Sequence, residues 1–264
     1  MQYESVKVIH QDEVHGGYRL LWLNAPGIAP HVEPGQFVHI RVPHMEASVL
    51  RRPFSVYKAD GSVLQILYKG VGKGTRTMTY LRPGDTLSLI GPLGTGFPAL
   101  SPGNAPVLVA GGYGMAALYL LARSMPVQGI AFFGGQTAPD ILCVDEFEAL
   151  GWEVRIATED GSLGEQGLVT DVIDAWWTER KDDASPVEVY ACGPNAMLHA
   201  VARRAMDRDW RTWVSVDRNM GCGVGACLTC VLRVRDESGG WEWKRSCTEG
   251  PVFECREICW DLEK

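Results

Sequence analysis

Val107-Leu108-Val109-Ala110-Gly111-Gly112-Tyr113-Gly114-Met115 runs from an apolar strand through a tight glycine turn into a helix start, the order in which a nucleotide phosphate is received. The turn is not G-x-G-x-x-G, so by itself it reads equally well as the strand-to-helix corner of any α/β domain. Beyond it, helical stretches and apolar strands alternate: Met115 to Ser124, Gly129 to Phe133, Asp145 to Leu150, Val154 to Ala157, Val169 to Trp177, Val187 to Ala191 and Asn195 to Asp209. That βαβα rhythm predicts a parallel sheet covered by helices.

On the N-terminal side the pattern differs. Val6 to Ile9, Tyr18 to Leu23, Phe37 to Val42, Phe54 to Tyr57, Leu64 to Tyr68 and Thr86 to Ile90 are short β-rich runs between turn residues, which suggests a small antiparallel barrel. Leu100 to Ala105, with Ser101, Pro102, Gly103 and Asn104, reads as the linker between the two. The expected fold class is therefore β plus α/β: a barrel over 1–100, a parallel-sheet nucleotide-binding domain over 101–213 and a small C-terminal module over 214–264. The tail of that module looks too small to fold well without a bound group.

The module holds the chain's most specific chemical signal. Cys222, Cys227 and Cys230 fall in a C-x4-C-x2-C run, and Cys247 follows after sixteen intervening residues. This is the ligand spacing of a plant-type [2Fe-2S] cluster. Gly221, Gly223, Gly225 and Ala226 let the backbone wrap closely and aim N–H groups at the sulfurs. Zinc is the alternative, with Cys227 and Cys230 completed by Cys247, Cys255 or Cys259, but it has no use for Cys222 or the crowded glycines. Cys143, Cys255 and Cys259 otherwise read as packing or surface residues. With eight cysteines in 264 residues and no export signal in Met1 to Gln11, a disulfide framework is not expected, and the thiols read as reduced and cytoplasmic.

A net charge of −7 excludes a nucleic-acid surface, and the apolar stretches fall short of the roughly 20 residues that a membrane span needs. In the barrel, Arg52-Pro53-Phe54-Ser55 puts a guanidinium fork suited to a diphosphate and a hydroxyl suited to a flavin ring nitrogen on one strand. Leu67-Tyr68-Lys69 leads into Gly70-Val71-Gly72-Lys73-Gly74-Thr75, a glycine-rich turn before a short helix predicted over 75–81. Taken singly, each piece also fits a solvated strand face or a plain turn.

Together, Arg52-Pro53-Phe54-Ser55, Gly70-x-Gly-x-Gly74-Thr75, Gly91-Pro92-Leu93-Gly94 and Cys192-Gly193-Pro194 resemble, in order, the motifs of the ferredoxin reductase-like flavoproteins. The resemblance implies that Arg52 holds the FAD pyrophosphate, that Ser55 sits at the isoalloxazine, that Gly74 and Thr75 hold phosphate, and that Cys192, Gly193 and Pro194 lie near the nicotinamide. Gly111, Gly112, Gly114 and Glu159 would line the same NAD crevice. The family usually carries more glycine at the first turn and a proline after it, where this chain has Ala110 and Ala117. No Arg follows Gly134-Gly135 before Asp140 to pair with a 2′-phosphate, so NAD is expected over NADP.

The compact module, Met220 to Cys230 with Cys247 to Phe253, is similar to that of the electron-transfer subunits of two-subunit, NAD-linked dihydroorotate dehydrogenases, as are Thr158 to Gly167 and Cys192 to Met197. That similarity implies an FMN-containing catalytic partner in a two-plus-two heterotetramer within pyrimidine biosynthesis, with electrons crossing cluster and FAD to NAD+. The same plan also fits a subunit of an NAD(P)H:ferredoxin oxidoreductase, hydrogenase or sulfide dehydrogenase. From another class, a redox sensor or scaffold would keep the cluster without turnover. Trp241, Trp243 and Trp260 line a subunit interface or complete a small core.

Overall fold

The computed structural model of the chain describes residues 1–43, 45, 50–180 and 185–262. Strands β1 (Gln2–Val14), β2 (Tyr18–Asn24), β3 (Phe37–Arg41), β4 (Arg52–Ser55), β5 (Lys58–Asp60), β6 (Val63–Lys69) and β7 (Thr86–Leu93) form one antiparallel sheet in the order β4-β3-β7-β1-β2-β6-β5. The sheet curls on itself after β4, where Val56 N–H donates to the Gln36 carbonyl and Tyr57 N–H to that of Gln65. Alternation decides what lies inside: Leu64, Ile66 and Tyr68 of β6 point into the barrel with Val38, Ile40, Leu87 and Leu89. Leu67, between two inward residues, faces out and packs against the second domain. Helix α1 (Lys73–Met78) starts earlier than the spacing predicts and plugs the barrel with Met78.

The second sheet contains β8 (Ala105–Gly111), β9 (Ile130–Gly135), β10 (Glu153–Thr158), β11 (Glu165–Gln166), β12 (Val187–Cys192) and β13 (Arg211–Ser215), all parallel, in the order β11-β10-β9-β8-β12-β13. Val107 and Val109 of β8 face a core shared with α4 (Val169–Glu179) and α5 (Asn195–Asp207), while Leu108 and Ala110 face α2 (Gly114–Ser124) and α3 (Val144–Ala149). A strand buried on both faces must be apolar throughout, which is why Val107 to Ala110 is an unbroken run. The chain leaves β8 towards β9 and later returns to place β12 on the other side, so the carboxyl ends of β8 and β12 frame the switch point where α/β sheets bind ligands.

Two parts were not anticipated. Strand pair β14 (Val231–Arg235) and β15 (Trp241–Arg245) forms a hairpin, and β16 (Val252–Glu254) then pairs antiparallel with β13, extending the second sheet. The tail expected to depend on a bound group is instead locked into the α/β core by Phe253, Cys255 and Ile258. The expected linker is also pinned: the carboxylate of buried Glu188 accepts from Ser101 N–H at 2.9 Å and Asn104 Nδ2 at 3.0 Å. Among the described residues, no helix is long and apolar enough to cross a membrane.

Candidate functional site

A cavity of about 320 Å³ opens between the barrel and the second domain. Its barrel wall is Pro53, Phe54 and Ser55 of β4 with Leu67, Tyr68 and Lys69 of β6 and Thr75 of α1; facing them are Tyr113, Cys192, Gly193, Ser215, Val216 and Asp217. Arg52 and Gly74 adjoin this wall, and a Cβ on Gly74 would come within 3.3 Å of Arg52 Nε. A guanidinium laid against glycine backbone, beside an apolar slot with a hydroxyl at its edge, fits a flavin dinucleotide. The Thr75 hydroxyl is engaged in its own turn: it accepts N–H bonds from Val71 and Gly72, both at 3.0 Å, and donates to the Gly72 carbonyl. Lys69 is held by Asp140 at 3.1 Å and lies over the Tyr18 ring.

A second cavity of about 410 Å³ sits at the switch point, lined by Gly111, Gly112, Gly134, Gly135, Gln136, Asp140, Glu159, Pro194 and Met197. Here glycine serves close approach. A Cβ on Gly114 would lie 2.1 Å from the Cys192 carbonyl oxygen, and one on Gly193 would lie 2.9 Å from Gly111 N. The two turns are thus packed backbone to backbone, and Gly114 lies beneath the crevice rather than on its wall. Cys192 is buried in this packing, and desolvation, with Asp217 nearby, pushes its thiol up to about 12. It stands at the first cavity as a neutral thiol.

The four cysteines fall into two pairs. Cys222 Sγ accepts the N–H groups of Val224, Ala226 and Cys227 at 3.5, 3.2 and 3.4 Å, and Cys227 Sγ accepts that of Cys222 at 3.4 Å. Hydrogen bonds from Thr229, then from Cys222, hold the exposed Cys227 thiol down at about 6. Cys230 and Cys247 are buried with Phe37 and Leu93 of the barrel, and burial followed by Cys230 lifts Cys247 to about 11. Two pairs of thiols, with backbone donors already aimed at sulfur, suit a two-iron cluster that needs two thiolates on each metal. Among the described residues, no three His, Cys, Asp or Glu side chains are gathered into one metal-binding group, so the four cysteines stand as two pairs rather than as one closed ligand set. Cys255, offered above as a zinc ligand, is packed in the α/β core instead. Beneath the loop, His39 Nδ1 contacts the Cys222 carbonyl at 3.2 Å, and a Cβ on Gly223 would strike that ring at 2.4 Å.

The three places are contiguous. Tyr113, Cys192 and Gly193 line the first cavity while Gly111, Gly112 and Pro194 line the second. Phe37 and Met220 line the first cavity and pack with Cys230 and Cys247. Sequence reasoning missed Phe37, Tyr113, Asp217 and Met220. Tyr113 and Met220 lay inside quoted motifs, but Phe37 and Asp217 carried no local signal.

Comparison with known proteins gives consistent results. Residues 217–259 match the iron–sulfur cluster binding domain of dihydroorotate dehydrogenase B. The chain is 35% identical to the electron transfer subunit of dihydroorotate dehydrogenase B (NAD(+)) from Bacillus cereus strain Q1, covering 98% of this chain and 99% of that one. The Bacillus anthracis strain A0248 subunit of the same name is equally similar, 35% identical over 98% of this chain and 99% of its own. Among solved structures, one of the NADH-dependent reduced ferredoxin-NADP oxidoreductase superposes with a TM-score of 0.83 at 29% identity, covering 97% of this chain and 90% of that one. The ferredoxin reductase of carbazole 1,9a-dioxygenase shares the fold, with a TM-score of 0.66 at 20% identity over 79% of this chain and 66% of that one.

Proposed function

The chain belongs to the family of electron-transfer subunits of NAD-linked dihydroorotate dehydrogenase B, and from that membership we propose that it carries electrons from a dihydroorotate-oxidising partner to NAD+. What most supports the reading is the wall of Phe37 and Met220, which puts the buried cysteine pair one side chain away from a flavin-shaped cavity. Bound at these places, a [2Fe-2S] cluster passes electrons singly, FAD holds a pair, and NAD+ takes the pair as hydride.

The residues divide this work. Cys222, Cys227, Cys230 and Cys247 hold the irons. Arg52 and the Gly74-Thr75 backbone take the FAD diphosphate, Ser55 meets the ring edge, and Pro53, Phe54, Leu67, Tyr68 and Lys69 enclose it. Gly111, Gly112, Gly193 and Pro194 give backbone access for NAD, with Cys192 closing the wall and Gly114 setting the turn. Among the described residues, the second cavity is lined by Glu159 and by Asp140, the latter paired with Lys69, and by no Arg, so a 2′-phosphate would find the Glu159 charge and no guanidinium partner, and NADH should bleach the flavin faster than NADPH.

Dihydroorotate oxidation then belongs to an FMN-containing partner, in a two-plus-two assembly in the cytoplasm. The expected division into 1–100, 101–213 and 214–264 serves as a functional one, although β16 lies in the second sheet. Protein purified without oxygen should contain equimolar FAD, with iron and acid-labile sulfide in equal amounts, and be bleached by NADH. Stoichiometric zinc without iron would overturn the reading. A ferredoxin-linked role is the second reading, favoured by the structural similarity to the ferredoxin-NADP oxidoreductase.

A further inference from the structure

Reduction of NAD+ consumes two electrons and one proton, and electrons that arrive singly through an iron–sulfur cluster bring no proton with them. A proton must therefore enter the flavin cavity from solvent for every NADH formed. Among the residues lining it, the side chains that can exchange one are Tyr18, Tyr68, Lys69, Tyr113, Cys192 and Asp217. Desolvation pushes Tyr18 and Cys192 up to about 12 and raises Tyr68 and Tyr113 further, so these four keep their protons at neutral pH. Lys69 is tied to Asp140.

Asp217 differs in kind. It is the carboxyl in the lining, it lies two residues past the end of β13, and water in the cleft reaches it. The hydroxyl of Tyr113 donates to its Oδ2 at 3.3 Å. Cys192 is near enough to feel its charge, whereas neighbouring Arg218 lines a different cavity with His199 and Trp260. Asp217 is exposed to the cleft, and partial desolvation by the surrounding protein raises its carboxyl above its ordinary value, against the pull of the Tyr113 bond; an acid that meets both solvent and the cavity can take a proton on one side and give it on the other.

We propose that Asp217, oriented by Tyr113, is the proton relay of the flavin cavity, taking a proton from solvent and releasing it for NAD+ reduction. For each NADH, the carboxyl gives up one proton, the partner's two electrons and that hydrogen end in the new C–H bond of the nicotinamide, and solvent reprotonates Asp217. The reverse direction returns the proton by the same route. This assignment rests on the relay reading above.

The test uses the complete FAD- and iron-loaded protein. Asp217→Asn keeps an acceptor for Tyr113 but cannot exchange a proton. Bleaching by NADH should slow far less than the reverse reaction, because hydride carries its own hydrogen. NAD+ reduction driven by a one-electron donor should slow by about a hundredfold. In the unaltered protein that rate should fall as pH rises through the raised Asp217 value; in the variant this inflection should vanish. Infrared redox-difference spectra should lose a carboxyl C=O band with Asp217→Asn. Tyr113→Phe removes a bond that favours the carboxylate, so the inflection should move to higher pH. An unchanged profile and band in Asp217→Asn, with the unaltered protein bleached normally by NADH, overturns the relay residue alone. Failure of the unaltered protein to bind FAD or bleach with NADH overturns the relay reading with it.

Discussion

The cysteine loop over 221–230 and the tail over 252–259 belong to the same small module, yet they are ordered by different forces. In the loop, Val224 and Leu228 are exposed, Leu228 adopts a left-handed backbone at φ 56°, and the organising contacts are N–H groups turned on sulfur. In the tail, Phe253, Cys255 and Ile258 are buried among the residues of the second sheet, Cys255 N–H donates to the Thr212 carbonyl at 2.8 Å, and Arg235 N–H donates to that of Glu257 at 2.6 Å. A left-handed leucine costs about 1–2 kcal/mol, which little apolar burial offsets in the loop. The loop therefore has little apolar burial of its own beyond Cys230 to hold its shape, and a bound cluster would supply what is missing, whereas the tail depends on ordinary core packing.

Removing a ligand should separate the two. Cys247→Ser should abolish the cluster and one-electron transfer to a partner, while FAD, NADH bleaching and the α/β core persist; iron and sulfide analysis with circular dichroism checks this. Loss of FAD or of cooperative unfolding in that variant would show that cluster and core are not independent. The complementary change is Phe253→Ala, which should cost about 3–5 kcal/mol of stability by denaturant unfolding and loosen the nucleotide domain as well as the tail. A cost confined to the cysteine loop would contradict the packing described.

A smaller effect is expected at Glu188, where burial alone would raise the carboxyl but hydrogen bonds from Ser101, Trp213 and Asn104 hold it below the ordinary glutamate value of 4.5. The folded value is depressed, so the stabilisation is present above about pH 4.5 and is lost as pH falls through the folded value. Glu188→Gln should remove about 2 kcal/mol at pH 7 and flatten this acid limb, leaving the cluster spectrum unchanged. Smallest for the folded chain should be Trp243→Ala. Trp241 and Trp243 are 46% and 51% exposed, so the small-core reading does not hold for them. Their hairpin adjoins the cysteine loop through Arg245, whose guanidinium donates to the Gly225 carbonyl. The substitution should change stability by no more than about 0.5 kcal/mol yet weaken partner binding about tenfold or more, read by titration calorimetry.

The parts legible in the sequence were those whose chemistry is local. Cysteine spacing announced the cluster because three of its four thiolates come from one short loop, and the apolar run before Gly111 announced a strand buried on both faces. What escaped depends on contacts distant in sequence. Asp217 is an ordinary acidic residue until Tyr113, more than a hundred positions earlier, is brought against it. Phe37 is one more barrel residue until Cys230 and Cys247 pack on its far side. The hairpin β14–β15 was missed because Trp241 to Lys244 mixes exposed aromatic and charged residues, with no apolar alternation to mark a buried face. Gly114, expected at phosphate, serves first to let α2 approach the Cys192 carbonyl.

The central claim is that this chain joins a dihydroorotate-oxidising flavoprotein to NAD+, and reconstitution tests it most directly. Anaerobic protein alone should pass electrons from NADH to dyes but leave dihydroorotate untouched. Adding the FMN-containing catalytic subunit should produce NADH from dihydroorotate and NAD+, and Cys247→Ser should abolish that activity. No dihydroorotate-dependent NADH on reconstitution, together with ready reduction of ferredoxin by NADH, would contradict the claim and leave the ferredoxin-linked role in its place.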